Sequence, residues 1–305
     1  MNNKCPIAIV INNNYTMQAS VTIASIIENK NVDTIYSINI ITDFIEEENK
    51  AKLCSMATDT VEICIHELGI KYDNLTNYTR WPNIIFYKFD VPYVLKQYDK
   101  IILLDADTIV LKDLTEMYNI YLNSNYAGVV DDITRILKDD EFTKQINKYF
   151  NIGVILLNAK KIREQFNLND IIECYKKNAK LFISPEQDTL NYLFKDNLKY
   201  IHPKYQYITL YNNYTKSNFL NFHKILNKDE ISYKNLVILH YAQMQPWKYW
   251  NIKYQKDWFK YYKLSPYYIN YKYQFYNIFF DLYRKIRYNY RFFKFQNKLK
   301  QMRNI

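Results

Sequence analysis

Four apolar residues in succession, Ile101-Ile102-Leu103-Leu104, run directly into Asp105 and Asp107. An unbroken apolar run of this length reads as a strand covered on both faces, and such strands belong to α/β sheets whose ligand crevice lies at their carboxyl ends. The two carboxylates stand at that end. If the strand continues, residues i and i+2 share a face, so Asp105 and Asp107 converge while Ala106 turns away. Hard oxygen ligands of this kind suit Mg²⁺ or Mn²⁺, commonly completed by substrate phosphates. An Asp pair after a strand can equally begin a turn and cap a helix, so other segments have to decide.

The elements before this strand predict the same class. Ile7 to Ile11 reads as a first strand, and Thr16 to Glu28 carries apolar residues at helical spacing, Met17, Val21, Ala24 and Ile27 among them. Ile35 to Ile41 and Val61 to Ile65 read as further strands, with a helix over Ile45 to Met56 between them. Ile84 to Gln97 is predicted helical, interrupted at Pro92. Tyr126 to Val130 and Val154 to Leu157 read as short strands. Strands alternating with helices imply a parallel sheet.

Composition narrows the function. With only three glycines, Gly69, Gly128 and Gly153, the chain has neither a G-x-G-x-x-G turn nor a P-loop. Rossmann dehydrogenases and P-loop kinases are disfavoured. The four cysteines show no C-x-x-C spacing, and the first strand starts a few residues after Met1, so a cytosolic, reduced protein without a signal peptide is expected. No apolar run approaches the roughly 20 residues that span a bilayer. The 32 tyrosines, with abundant Lys, Asn and Ile, match the residue bias of an AT-rich genome and carry no assigned chemistry. Residues 282 to 305 hold eight basic side chains and no acidic one, so the formal charge of +10 falls to +2 over the rest, 33 Lys and Arg against 31 Asp and Glu.

Five short motifs, in order and spacing, resemble those of the family 8 glycosyltransferases, the group of glycogenin and the bacterial lipopolysaccharide galactosyl- and glucosyltransferases. They are Asn12-Asn13-Asn14-Tyr15 after the first strand, Phe86-Tyr87-Lys88-Phe89, the metal motif with Gly128 to Asp132 and Phe150 to Val154 behind it, Ser184-Pro185-Glu186-Gln187-Asp188, and Ile238-Leu239-His240-Tyr241 followed by Pro246-Trp247. The resemblance covers roughly residues 5 to 250. It implies a metal-dependent, retaining enzyme of the Rossmann-like GT-A fold, a mostly parallel sheet flanked by helices, using a UDP-sugar.

Carried over residue by residue, the resemblance implies that Asp105, Asp107 and His240 hold Mn²⁺, with Mg²⁺ as the alternative. It places Asn12, Asn14, Tyr15, Lys88, Asp105, Ala106 and Lys248 on the donor nucleotide, and Asp132, Asn151, Glu186 and Gln187 at the transferred sugar. Retention needs a nucleophile on the far face, as in retaining hydrolases, for which Glu186 is the candidate; an internal-return route needs Glu186 and Gln187 only as electrostatic support. Gly153 keeps a permissive backbone, while Ile152 adds bulk where the family has Ala. Ser184, Pro185 and Gln187 also form a capping-box sequence. Between His240 and Pro246 the family carries Gly and then Lys. This chain has neither there, and Lys248 is the substitute.

The chain is thus divided into a glycosyltransferase domain, residues 1 to 265, and a basic aromatic tail, residues 266 to 305. Such a tail suits an anionic membrane interface, which predicts a cytoplasmic protein, peripheral on the inner face of the membrane. The nearly neutral body argues against nucleic acid. The expected partners are a UDP-hexose donor, galactose or glucose, and a lipid-linked or oligosaccharide acceptor. A catalytically silent nucleotide-sugar or glycan-binding homologue is the alternative, motivated by the altered loop after His240. A nucleotidyltransferase is disfavoured, because the chain has no Gly-rich triphosphate loop.

Overall fold

In the computed structural model, residues 4–79, 81–132, 135, 141–146, 148–209, 222–223, 228–249 and 252–269 are described. The strand β1 (Lys4–Val10) pairs in parallel with β2 (Ile35–Thr42) on one side and β4 (Ile101–Leu104) on the other; β2 in turn pairs with β3 (Val61–Glu67). All four residues of β4 are fully buried, as a central strand requires. The short β5 (Thr108–Val110), β6 (Ala127–Val129), β7 (Val154–Leu157), β8 (Leu198–Tyr200), β9 (Tyr207–Ile208) and β10 (Ile238–His240) follow. Seven strands form the main sheet in the order β3-β2-β1-β4-β7-β6-β8, and β5-β10-β9 form a second one.

The main sheet is not wholly parallel. β7 runs antiparallel to both β4 and β6, in the register Leu104↔Val154 and Ile101↔Leu157. This reversal places the turn before β7 at the carboxyl end of β4, where the crevice is. Alternation of strands and helices does not reveal it, because the direction of β7 is set by its register with β4 and β6.

Helix α1 (Thr16–Asn29) lies between the two sheets and is buried from Thr16 to Ile26 except at Met17. Its Ala19, Ile23 and Ile26 pack on the main sheet, and Val21 and Ala24 pack with the second sheet. The amphipathic spacing of its apolar residues predicts one buried face; small Ser, Thr and Ala side chains bury the other. Their hydroxyls are spent on backbone, Ser25 Oγ accepting from Val110 N–H at 2.9 Å.

Helix α2 (Glu47–Cys54) joins β2 to β3. The predicted helix over 84–97 is a 3-10 helix, Asn83–Phe89, and then α3 (Val91–Val94), with Pro92 in the first turn where its missing N–H costs nothing. Then come α4 (Thr115–Tyr118), α5 (Ala159–Gln165), α6 (Leu168–Asn178), α7 (Pro185–Phe194) and α8 (Gln255–Tyr262). The packed body continues past α8, since the Tyr267 hydroxyl donates to Asn49 Oδ1 at 2.9 Å. No helix of the described residues is long and apolar enough to cross a membrane. Most of the basic tail, residues 270–305, lies outside the described residues.

Candidate active site

The expected continuation of β4 through both carboxylates is corrected by the structure. The strand ends at Leu104, and Asp105 to Asp107 form a tight turn into β5. Thr108 closes it, donating its N–H to the Asp105 carbonyl at 3.2 Å and its hydroxyl to the same oxygen at 2.8 Å. The Thr22 hydroxyl of α1 buttresses it, lying 3.0 Å from the Ala106 carbonyl and 2.8 Å from that of Thr108. The two carboxylates converge because the chain turns, and not through the pleat.

His240 reaches them through the second sheet. β5 pairs antiparallel with β10 in the register Thr108↔His240, and Tyr241 N–H donates to the Asp107 carbonyl at 2.9 Å. His240 Nε2 therefore lies 3.1 Å from Asp107 Oδ1 and 3.9 Å from Asp105 Oδ2. Ligand atoms of Asp105, Asp107 and His240 all fall within 4.8 Å of one another. Trans ligands of a small dication at about 2.1 Å are roughly 4.2 Å apart, so this donor set suits Mn²⁺ or Mg²⁺ in chemistry and comes close to the span of one ion.

Opposite charges in the cluster support one another against burial. Burial opposes the charge on His240, yet Asp107 and Asp105 beside it hold its pKa above the ordinary histidine value. Burial likewise penalises Asp107, but His240 and Lys88 hold that carboxyl below the usual range. Lys88 Nζ, 6% exposed, sits 2.7 Å from Asp105 Oδ1 and 3.6 Å from Glu186 Oε1. Its burial is outweighed by those two carboxylates, which keep its pKa raised. Glu186 is pushed up by burial and pulled back by Lys88.

The turn before β7 closes the other side. The Gly153 carbonyl accepts from Asp105 N–H at 2.8 Å, and a Cβ at Gly153 would lie 2.2 Å from His240 Cε1 and 2.9 Å from Asp105 Oδ2. Its φ is not in the left-handed region, so the glycine is demanded by space and not by backbone permissiveness. Asn151 Oδ1 accepts from Gly153 N–H at 2.9 Å while Nδ2 donates to Asp132 Oδ2 at 3.3 Å. Gln187 Oε1 accepts from Ile152 N–H at 3.1 Å, and its Nε2 donates to the Tyr149 hydroxyl at 2.7 Å. The capping box at α7 is therefore absent. Ser184 caps with no side-chain bond, and Asp188 Oδ2 instead accepts from the Ile183 and Ser184 N–H groups at 2.8 and 2.9 Å.

These side chains line one cleft of about 700 Å³, within the range of ligand sites. Asn12, Tyr15, Lys88, Asp105, Ala106 and Asp107 lie along it, as do Asp132, Asn151, Glu186, Gln187, His240 and Lys248. Asn12 Oδ1 is buried with no hydrogen-bond partner among the described residues. Of the predicted site residues, Asn14 alone is not in the lining; it is exposed on the 3-10 turn before α1. Asn13 is spent on structure, accepting from Glu46 N–H and Asn49 Nδ2. Asp131 is no part of the lining, and burial pushes its carboxyl up to about 6. In the altered loop Gln243 takes a φ of 66°, in the left-handed region that favours glycine.

Sequence reasoning missed four residues. Arg135 lines the cleft, 2% exposed, and reaches Asp188 Oδ2 at 3.4 Å. Asp188 also receives a very short hydrogen bond from the Tyr149 hydroxyl. Gln206 lies against His240 and Asn151. Asp188 closes the Ser184 to Asp188 motif, but nothing in the sequence marks Tyr149 among so many tyrosines, or Gln206.

This architecture is shared with solved glycosyltransferases. The galactosyltransferase LgtC, crystallised with donor and acceptor sugar analogues, superposes with a TM-score of 0.71 at 19% identity, over 85% of this chain and 96% of that one. The bifunctional glycosyltransferase WbbM gives the same TM-score and identity over 94% of this chain, which spans 52% of its length. The fold is thus GT-A, shared with these glycosyltransferases. The chain belongs to glycosyl transferase family 8, whose family model matches residues 6–251. A lipopolysaccharide 1,2-glucosyltransferase of Escherichia coli is 26% identical over 273 residues, 84% of this chain and 77% of the relative.

Proposed function

We propose that the protein is a retaining, metal-dependent glycosyltransferase that moves a hexose, galactose or glucose, from a UDP-sugar to a sugar hydroxyl of a bacterial surface glycan such as lipopolysaccharide. The convergence of Asp105, Asp107 and His240 at one end of a ligand-sized cleft carries this reading. The E. coli relative supports the acceptor class. A bound Mn²⁺ would supply Lewis-acid stabilisation of the departing diphosphate.

This chain's own groups do the rest. Asn12 Oδ1, an unspent acceptor, takes a uracil N–H, and Tyr15 offers a ring to the base. Asp132 accepts from donor-sugar hydroxyls. Gln187, committed at both ends of its amide, holds the Asn151 turn against the sugar. Glu186 keeps a carboxylate at the anomeric carbon through its Lys88 partner. Neutralisation of the diphosphate by an ammonium group falls to Lys248, which lines the cleft just past Pro246-Trp247.

The test is UDP release from a panel of UDP-sugars with Mn²⁺ or EDTA, in water and with saccharide acceptors. Manganese-dependent release from one donor, abolished by EDTA, is the expected result. The altered loop favours a second reading, a silent homologue; UDP binding with no release from any donor and acceptor would establish that instead.

The tail gives the protein its place in this proposal, on the inner face of the cytoplasmic membrane. Because Tyr267 packs on Asn49, the deletion to make is residues 270–305. It should release the protein from anionic vesicles and leave UDP release on soluble acceptors unchanged; retained vesicle binding would remove that role.

A further inference from the structure

Gln206, fully buried, lies on the Nδ1 side of His240, its amide 3.3 Å from that nitrogen, while Nε2 faces the two carboxylates. An imidazole offers Nε2 to a cation only when the ring hydrogen sits on Nδ1, and the partner of Nδ1 decides this. A buried Nδ1–H also needs an acceptor.

The carboxamide has two orientations. With Nε2 toward the ring, it donates to Asn151 Oδ1 at 2.7 Å, and Nδ1 has to accept. The ring hydrogen then sits on Nε2 and bonds to Asp107. Turned over, the carboxamide presents Oε1, which accepts from Val154 N–H at 3.1 Å, meets the Asn151 side-chain amide at 2.7 Å and stands 3.3 Å from Nδ1, while Nε2 donates to the Asn151 carbonyl at 3.3 Å.

We propose that Gln206 is the positioning residue that selects the tautomer of His240: with Oε1 toward the ring it holds Nδ1–H and frees Nε2 for a divalent cation. The proposal rests on the metal reading above and adds to it a partner outside the ligand set.

Titration calorimetry with Mn²⁺ on the full chain, Gln206→Leu and Gln206→Glu tests it, together with ¹⁵N imidazole spectra of the Zn²⁺-loaded parent. The Leu variant should bind Mn²⁺ about 10- to 100-fold more weakly, the usual loss on removing a hydrogen-bond partner of a ligating histidine. The Glu variant, whose carboxylate can only accept, should keep or exceed the parent affinity, and the Zn²⁺-loaded ring should carry its hydrogen on Nδ1. Parent-like Mn²⁺ affinity in Gln206→Leu, or a Zn²⁺-loaded ring protonated on Nε2, would overturn the assignment. A parent that binds neither ion would instead remove the metal reading itself.

Discussion

Asp107→Asn is expected to lower Mn²⁺-stimulated UDP release by about 10³-fold or more, corresponding to roughly 4 kcal/mol of lost transition-state stabilisation. The change keeps shape and removes charge. It takes away one hard ligand and the carboxylate that lies 3.1 Å from His240 Nε2, so both the cation and the imidazole lose a partner. The fold should persist, because what Asp107 gives the second sheet is its backbone carbonyl, bonded to Tyr241 N–H. Turnover should therefore fall by that factor while the melting temperature stays within a few degrees. Near-parent activity with Mn²⁺ in a folded Asp107→Asn protein would sink the metal assignment.

Gly153→Ala should be nearly as damaging, for a steric reason. The added methyl would stand 2.2 Å from His240 Cε1 and 2.8 Å from Nε2. His240 is 2% exposed and held by β10, so neither ring nor turn can yield without breaking the Asp105 N–H bond to Gly153. A loss of about 1–3 kcal/mol in stability, typical of overpacking, should accompany at least about a 10²-fold loss of activity and weaker Mn²⁺ binding. Thermal melts and calorimetry on the variant would check both. A variant that binds Mn²⁺ like the parent would mean that the turn relaxes freely.

Much of this architecture is legible in the linear chain. The strands β1 to β4 and helix α1 follow from apolar periodicity, and Asp105, Asp107, Glu186, Gln187 and His240 from their motifs. What stays hidden depends on long-range pairing. The reversal of β7 is a matter of register with β4 and β6, which leaves no periodic trace in Val154 to Leu157. The turn between β4 and β5 reads as one strand because Thr108-Ile109-Val110 is as apolar and β-branched as what precedes Asp105. Gln187 reads as a capping residue because Ser-Pro-Glu-Gln is a helix start; its amide turns inward because Tyr149 and Ile152 N–H need partners. Tyr149 is lost among its many chemical equals, and Asn14 shares its motif with Asn12 but faces outward.

The pairing of β5 with β10 has a consequence for the order in which the protein comes into being. Asp105 and Asp107 leave the ribosome long before His240, and until β10 has been made, β5 has no antiparallel partner. The emerging chain thus holds two carboxylates without the imidazole that completes their site, so a nascent or truncated product ending before residue 238 should neither capture the cation nor protect the edge of β5. Contacts this distant in sequence form late, and competence arrives only once β10 has been made.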